Sequence, residues 1–294
     1  MIESVEPTAP RALPRTPLVA GLAPFEECFS APVERWNEAL SSRGSGNDLR
    51  FVAQTPELLA DGLHFEDRIA RFGLIASREN DTHDAFNALM WLCHEALKRA
   101  MNSRQVADIA KVGPKQRTRG QCALTHFDEA GAIVWLSDRE IANAWDAHDW
   151  RALFATHRDA WGTRIAVTVI GHALFDFALD HGELPVAKAL AVHVGRDEIA
   201  ERSRGALIAS WPEAEAAIAR AIATGRWLID PQELRPLPLA GIPDWNEGPQ
   251  SDAFFENAPC FRPIRPGRSY PAPRLLALRD DRDTDENAVA QAAI

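Results

Sequence analysis

The sequence predicts an α+β fold, with a small mixed or antiparallel sheet packed against several helices and a proline-rich C-terminal arm wrapping the core. Some segments have apolar residues at three- and four-residue intervals, as on amphipathic helices, and others are short β-branched runs typical of buried strands. The two kinds of segment do not alternate regularly, which argues against a doubly wound sheet. Ten of the 20 prolines lie in residues 231–273, so periodic structure is expected before that region.

The composition of the 294 residues is that of a globular protein, with a hydrophobic fraction of 46% and a charged fraction of 25%. The 42 aspartates and glutamates outnumber the 32 lysines and arginines, so a net charge of −10 does not favour nucleic acid as a partner. No signal peptide or run of about 18 apolar residues is recognisable, which predicts a soluble protein without membrane association. The four cysteines lack metal-ligand spacing, and we expect reduced thiols in the cytoplasm.

Four segments of different composition follow one another along the chain. Residues 1–16 and 275–294 have few core-forming side chains, so we expect a flexible N-terminus and a disordered acidic tail. Residues 17–235 are expected to form a single α+β domain. Residues 236–274 are the predicted proline-rich arm. Large aromatic side chains in and just before this arm are expected to anchor it to the core, namely Trp227, Trp245, Phe254, Phe255 and Phe261.

The first half of the predicted domain contains a short helix, a strand and a long helix. A Thr-Pro pair at residues 55–56 has the pattern of a helix cap followed by a first helical residue. Residues 64–77 are interpreted as a strand. Over residues 80–101, apolar side chains recur with the period of an amphipathic helix, which Asp81 or Thr82 would cap.

Two apolar runs, residues 121–127 and 132–136, are predicted to pair as an antiparallel hairpin. The link between them contains turn-forming residues, and the acidic pair Asp128 and Glu129 is assigned to that turn. The alternative is that this pair contributes a metal ligand or a base. Ser137 begins a capping box, which predicts that a helix follows the hairpin.

The second half of the predicted domain mixes helices and strands. The expected elements are a helix from about Trp150, a buried strand over 165–171, a helix over 172–180, a strand over 188–194 and a last helix from the cap Ser210 to Gly225.

The densest group of polar residues lies at the start of the helix predicted over residues 80–101. His83 and Asn87 are four residues apart and therefore share a face of that helix. The Asp84 carboxylate beside His83 could orient the imidazole for metal ligation or proton transfer. Alternatively, Asp84 only complements the positive end of the helix dipole, and His83 packs against its neighbours.

A second histidine, His172, is predicted to lie where a buried strand ends and a helix begins. Gly171 would allow the backbone to approach another segment closely at that point. We expect His83, Asn87 and His172 to converge on one pocket. Arg78 would be available to bind an anion or an anionic cofactor near the helix start. The alternative is that His172 is a hydrogen-bonded core residue.

Two basic segments contrast with the acidic composition of the chain. Residues 98–119 contain seven lysines and arginines and a single acidic residue. This pattern is typical either of a segment that binds a phosphate-bearing partner or of a solvated loop. In the arm, Arg262, Arg265 and Arg268 are spaced by three residues and would line one edge of a polyproline-II segment. Such an edge could hold an anionic ligand or the protein's own acidic surface.

Several short motifs resemble those of one bacterial family. They are residues 80–91, LTHFDEAG at 124–131, GHAL at 171–174, PLAGIP at 238–243 and FRP at 261–263. Over roughly residues 50–265 the chain therefore resembles the bacterial domain-of-unknown-function family three-zero-two-five. The resemblance implies a bacterial, cytoplasmic protein, and it implies no activity or catalytic residue. His126 departs from the family, which often has leucine there, whereas the motifs around His83, Asn87 and His172 match.

These residues support two functions of different classes, and the sequence alone does not decide whether the protein is an enzyme. The first is a hydrolase-like enzyme in which Asp84 orients His83 as a base or ligand, Asn87 positions the substrate and His172 is a second base or ligand. No particular metal or cofactor is predicted. The second is a non-enzymatic binding or regulatory module that holds an anionic ligand or a protein partner. A small anionic ligand is compatible with both.

Overall fold

The computed structural model describes residues 12–44, 48–113 and 115–276. Within these ranges the chain has the predicted α+β fold. Its α-helices are α1 (Val33–Ser42), α2 (Pro56–Leu59), α3 (Phe65–Phe72), α4 (Thr82–Cys93), α5 (Glu95–Val112), α6 (Arg119–Ala130), α7 (Arg139–Asp146), α8 (His172–His181), α9 (Arg196–Arg202), α10 (Pro212–Ala223) and α11 (Asp252–Asn257). Its strands are β1 (Arg50–Ala53), β2 (Leu74–Ser77), β3 (Gly131–Leu136), β4 (Ile165–Val169), β5 (Val186–His193), β6 (Arg235–Pro238) and β7 (Arg274–Leu275). Residues 1–11 and 277–294 of the predicted flexible N-terminus and acidic tail lie outside the described residues.

The larger sheet is mixed and has the strand order β4-β3-β5-β6, with β7 also paired to β5. Strand β3 is antiparallel to β4 and parallel to β5, and β5 is antiparallel to β6. A separate parallel pair is formed by β1 and β2. The prediction of a small mixed sheet is therefore confirmed.

Both faces of the larger sheet are buried. Along β3, Ala132, Val134 and Leu136 belong to one hydrophobic cluster, and Ile133 and Trp135 belong to the other. Helices α4 and α8 contribute to the first cluster, whereas α5, α6 and α10 contribute to the second. Burial on both faces explains why β3 is a continuous apolar run rather than an alternating one.

The predicted hairpin is wrong, because residues 119–130 form helix α6 rather than a strand. Thr118 caps this helix, and its side chain and that of Gln121 make both hydrogen bonds of a capping box. The buried residues Ala123, Leu124 and Phe127 have helical spacing, which a short apolar run does not distinguish from a strand. The antiparallel partner of β3 is instead β4, which follows later in the chain.

The strand predicted over residues 64–77 is correct only for its last residues, which form β2. Residues 65–72 form α3, which has acidic residues in its first turn and ends at Gly73 in the left-handed conformation. The helix predicted over residues 80–101 is two helices, since His94 (φ −130°, ψ 43°) breaks it between α4 and α5. Helix α5 also replaces most of the basic loop that the sequence suggested.

Two predicted caps are also corrected. Helix α7 is capped by Asp138, whose side chain accepts a hydrogen bond from the Glu140 backbone, rather than by Ser137. Helix α10 starts after Trp211 without a side-chain cap, so Ser210 does not cap it. The predicted helix at 172–180 and strands at 165–171 and 188–194 agree with α8, β4 and β5 within three residues at each end.

The aromatic side chains predicted to anchor the arm lie against the core. Trp245, Phe255 and Phe261 are buried in the first hydrophobic cluster, with Phe254 partly buried against it, and Trp227 is buried in the second cluster. The backbone carbonyl of Arg262 in the arm also accepts a hydrogen bond from the Trp150 indole (2.8 Å), and Arg235 forms an ion pair with Asp146.

The four cysteines are not paired with one another; Cys28 is buried, and Cys93, Cys122 and Cys260 are partly buried. Within the described ranges, none of the helices combines the length and the apolar character that a membrane span needs.

Two glycines bring the end of α6 and the start of α8 together. Gly131 joins α6 to β3, and Gly171 precedes the first residue of α8. The amides of Ile170 (2.9 Å) and Gly171 (2.8 Å) both donate to the Gly131 carbonyl. A Cβ atom at Gly171 would overlap the Gly131 nitrogen and the Ala130 backbone, so this approach requires glycine.

We expect Gly171→Ala to lower the free energy of unfolding by about 1–3 kcal/mol, because the added methyl group forces the two backbones apart. Urea denaturation of the full chain measures this change. Gly21→Ala is the control, since the nearest atom to its added Cβ lies 3.9 Å away. Equal stability of the two variants would contradict the proposed close packing.

Candidate functional site

A pocket of about 460 Å³ lies between α3, α4, α5, α6 and the start of α8. Four of the five residues that sequence reasoning selected line this pocket: His83, Asp84, Asn87 and His172. The fifth, Arg78, is not among the lining residues. The predicted convergence of His83, Asn87 and His172 on one pocket is thus what the geometry shows.

The two histidines are in direct contact. The ring centroids of His83 and His172 are 4.5 Å apart, and the rings are nearly perpendicular (85°). The contact follows from the packing of α4 against α8, which is reinforced where the Thr82 hydroxyl donates to the Asp176 carboxylate (2.7 Å). His83 follows Thr82 on α4, and His172 lies one turn before Asp176 on α8, so this packing brings both imidazoles to the pocket.

Glu129 completes a group of three side chains that face one another. Its Oε2 atom lies 3.5 Å from His83 Nε2 and 3.5 Å from His172 Nε2. The three atoms fall within 4.8 Å of one another, a separation at which one metal ion could contact all of them. Two imidazole nitrogens and one carboxylate are a ligand set found at catalytic zinc and non-haem iron centres.

The orientation of His172 is set by the backbone. Its Nδ1 atom lies 2.9 Å from the Asp128 carbonyl, which can only accept, so Nδ1 carries the proton and Nε2 presents a lone pair to the pocket. The imidazole is buried, and burial lowers its pKa to about 4. His172 is therefore neutral at physiological pH, the state required of a ligand or a base.

His83 presents Nε2 to Glu129, while its Nδ1 atom is buried and has no hydrogen-bond partner among the residues that the structure describes. The nearest carboxylate oxygen is Asp84 Oδ1, at 3.8 Å. Arg78 holds that carboxylate in place through its side chain (2.8 and 3.1 Å) and its backbone amide (2.7 Å). Arg78 also pairs with Asp81, the cap of α4. The geometry thus makes Arg78 a support for Asp84 rather than a wall of the pocket.

A second group of possible metal ligands, Asp81, His83 and Asp84, overlaps the first. Its carboxylates are already used: Asp81 accepts from the Asp84 backbone (2.9 Å), and both carboxylates pair with Arg78. Glu129 has no such competing cation within 4.0 Å in the described structure, so the trio with His172 is the better candidate.

Lys98 forms the floor of the pocket. The ammonium group is buried, donates to Asn87 Oδ1 (2.8 Å) and to Asp128, and lies 5.5 Å from the centre of the Trp91 ring. Burial alone would raise the pKa of Asp128, but the charge and hydrogen bond of Lys98, together with the two nearby histidines, outweigh burial and lower that pKa. Burial and the negative charge of Asp128 raise the pKa of Glu129.

The sequence does not single out Lys98, and it offers Asp128 and Glu129 as a ligand or base only as the alternative to a turn. That turn belongs to the predicted hairpin, which the structure replaces with helix α6. On helix α6, Leu124, Thr125, Asp128 and Glu129 all line the pocket, and their four-residue spacing is the signal that a helical interpretation would have used.

The depressed pKa of His172 predicts that the metal-free protein loses stability in acid. Below about pH 6.5 the unfolded chain binds a proton that the folded imidazole does not take up until about pH 4, so unfolding becomes easier as the pH falls through this window. Between pH 7.5 and pH 5 we expect wild type to lose about 2 kcal/mol more than His172→Gln, as measured by urea denaturation with chelator present. His126→Gln, at an exposed position of α6, is the control and should behave as wild type. An identical pH dependence of wild type and His172→Gln would refute the buried neutral state.

Comparison with known proteins identifies a family but no activity. No curated protein matches the chain, and no solved structure matches it. Residues 49–265 match the family described as a protein of unknown function (DUF3025). The match covers most of the chain and includes His83, Glu129 and His172. The chain therefore belongs to the DUF3025 family.

Proposed function

We propose that the protein is a metal-dependent hydrolase in which His83, Glu129 and His172 bind one divalent transition-metal ion, with zinc as the best fit. The observation that carries the proposal is the convergence of two imidazole Nε2 atoms and one carboxylate oxygen in a pocket of about 460 Å³. The ligands come from three helices, α4, α6 and α8.

The spacing of these atoms suits a tetrahedral metal. Two ligands bound about 2.0–2.1 Å from a tetrahedral ion stand about 3.3 Å apart. The observed separation of 3.5 Å between Glu129 and each histidine is close to this value. Three protein ligands leave a fourth position for water, as in catalytic rather than structural zinc sites.

A bound zinc ion would supply a water molecule that ionises near neutral pH, which is a nucleophile for hydrolysis. The residues around it can position a substrate. Asn87 accepts from Lys98 through Oδ1, and its Nδ2 atom makes no hydrogen bond to a described residue, so this N–H group can donate to a substrate oxygen in the pocket. Lys98 keeps a positive charge beside the site and balances Asp128.

We further propose that this enzyme acts in the bacterial cytoplasm as one α+β domain over residues 17–235, with residues 236–274 as the wrapping arm. Four free cysteines support a reducing compartment. The arm's buried aromatic residues support its assignment to the core rather than to a separate unit. The net charge of −10 is evidence against nucleic acid as the substrate.

Metal content tests the proposal directly. We expect about one zinc per chain in the full-length protein after chelator treatment and reloading, measured by mass spectrometry after gel filtration. The variants His83→Ala, Glu129→Gln and His172→Ala should each lose the metal, because each removes one of three ligands. Zinc-loaded wild type, and none of these variants, should hydrolyse a chromogenic nitrophenyl ester.

His126→Ala is the matched control, since it removes an exposed histidine from the same helix as Glu129 and should retain zinc. Circular dichroism of each variant separates loss of metal from loss of fold. Folded protein that binds no zinc, manganese or iron would overturn the proposal and favour a non-enzymatic module for an anionic ligand or a protein partner.

Asp84 is expected to strengthen metal binding without touching the metal. Its Oδ1 atom lies 3.8 Å from His83 Nδ1, so a small rotation of the imidazole on metal binding would let it accept a hydrogen bond from Nδ1–H and keep Nε2 free to ligate. Asp84→Asn should weaken zinc binding by about 10–100-fold in a competition titration, since outer partners of metal-bound histidines contribute that much. Asp81→Asn, which preserves a side chain able to cap α4, should bind zinc as wild type does. Equal weakening by both substitutions would instead indicate the overlapping group of Asp81, His83 and Asp84.

A further inference from the structure

We infer that the substrate of this site is a small organic anion whose carboxylate or phosphate group is bound by Arg117 on the solvent side of the pocket. The inference rests on the proposed function, because it concerns what the same pocket binds. Two observations support it. The first is the balance of charged side chains that line the pocket, and the second is that Arg117, alone among the lysines and arginines that line it in the described structure, has no acidic partner.

Two of the carboxylates in the pocket are neutralised by cations of the protein itself. Asp128 is paired with Lys98, and Asp84 is paired with Arg78. Neither carboxylate therefore leaves an unbalanced negative charge, and neither Lys98 nor Arg78 is available to pair with a ligand.

The remaining two carboxylates that line the pocket are Glu66 and Glu129. Glu66 accepts a hydrogen bond from the Asn102 side chain (2.5 Å), and burial raises its pKa. Glu129 faces His83 and His172, and a divalent ion held by these three residues would bring two positive charges against the single negative charge of Glu129. With the metal bound, this trio would therefore carry a net positive charge.

Arg117 adds a further positive charge, and it lies just before the N-terminal end of α6, whereas Glu129 lies at the C-terminal end of that helix. It lies between α5 and α6, it lines the pocket, and its residue is exposed, whereas His172 and Lys98 are buried. It forms no ion pair with any residue in the described part of the chain. A guanidinium group in this position can bind the two oxygens of a carboxylate or phosphate at once.

The rest of the lining fits a small polar molecule. Gln105, Gln116 and Asn102 contribute side-chain amides, and Met101 and Ile109 contribute apolar surface. A volume of about 460 Å³ is in the range of pockets that enclose one small molecule. An anionic group at Arg117 would orient such a molecule with its opposite end towards His83, Glu129 and His172.

Three probes with the same ring test the inference on the zinc-loaded full chain: benzoate, phenyl phosphate and the neutral benzamide. Isothermal titration should show binding of one or both anions and no binding of benzamide. Arg117→Gln should weaken that binding by roughly tenfold or more, because it removes a charge-assisted pair. Lys115→Gln is the control: it removes the same charge from the same loop outside the pocket lining, and it should bind as wild type does.

Comparing the affinities of the two anions identifies the anionic group of the substrate. Tighter binding of benzoate would assign a carboxylate substrate, and tighter binding of phenyl phosphate a phosphate ester. Equal weakening by Arg117→Gln and Lys115→Gln would show general screening only and would overturn the inference, as would binding of benzamide or of neither anion. In these cases the zinc content of the same samples still decides the proposed function separately.

Discussion

The backbone contact between Gly131 and Gly171 is the constraint on which the candidate site depends. It joins the end of α6 to the start of α8 through hydrogen bonds that β3 and β4 hold in register. Glu129 lies two residues before the first glycine, and His172 directly follows the second. The distance between Glu129 and His172 is therefore fixed by the sheet rather than by flexible loops. A site held by rigid elements in this way is preorganised.

The break at His94 has a comparable role on the other side of the pocket. Lys98 donates to Asn87, and these residues are eleven positions apart (2.8 Å between Nζ and Oδ1). In an unbroken helix they would be separated by about 16 Å along the axis, beyond the reach of a lysine side chain. The change of direction between α4 and α5 is what places a cation beneath the two histidines.

The sequence was sufficient to predict the α+β class and four of the pocket residues, because these predictions depend on patterns among residues that are close together in the chain. His83, Asp84 and Asn87 are linked by helical spacing, and His172 by its place after a buried strand. Glu129 was only an alternative candidate because the apolar run before it is too short to show whether its period is two or 3.6. Lys98 was missed because its contact with Asn87 depends on a helix break that no proline or glycine marks in the sequence.

The pairing of the C-terminal arm with β5 protects the larger sheet from association with other chains. Strand β6 pairs with residues 186–189 of β5, and β7 pairs with Val192 and His193 farther along the same strand. At the opposite edge, the β4 residue Val167 exchanges hydrogen bonds with Ala206 and Ile208 (3.0 Å each). Uncovered edge strands are templates for intermolecular β-pairing and aggregation. Since β7 lies beyond residue 265, a fragment limited to the matched region would leave the end of β5 paired with β3 alone, and its other side would be free for self-association.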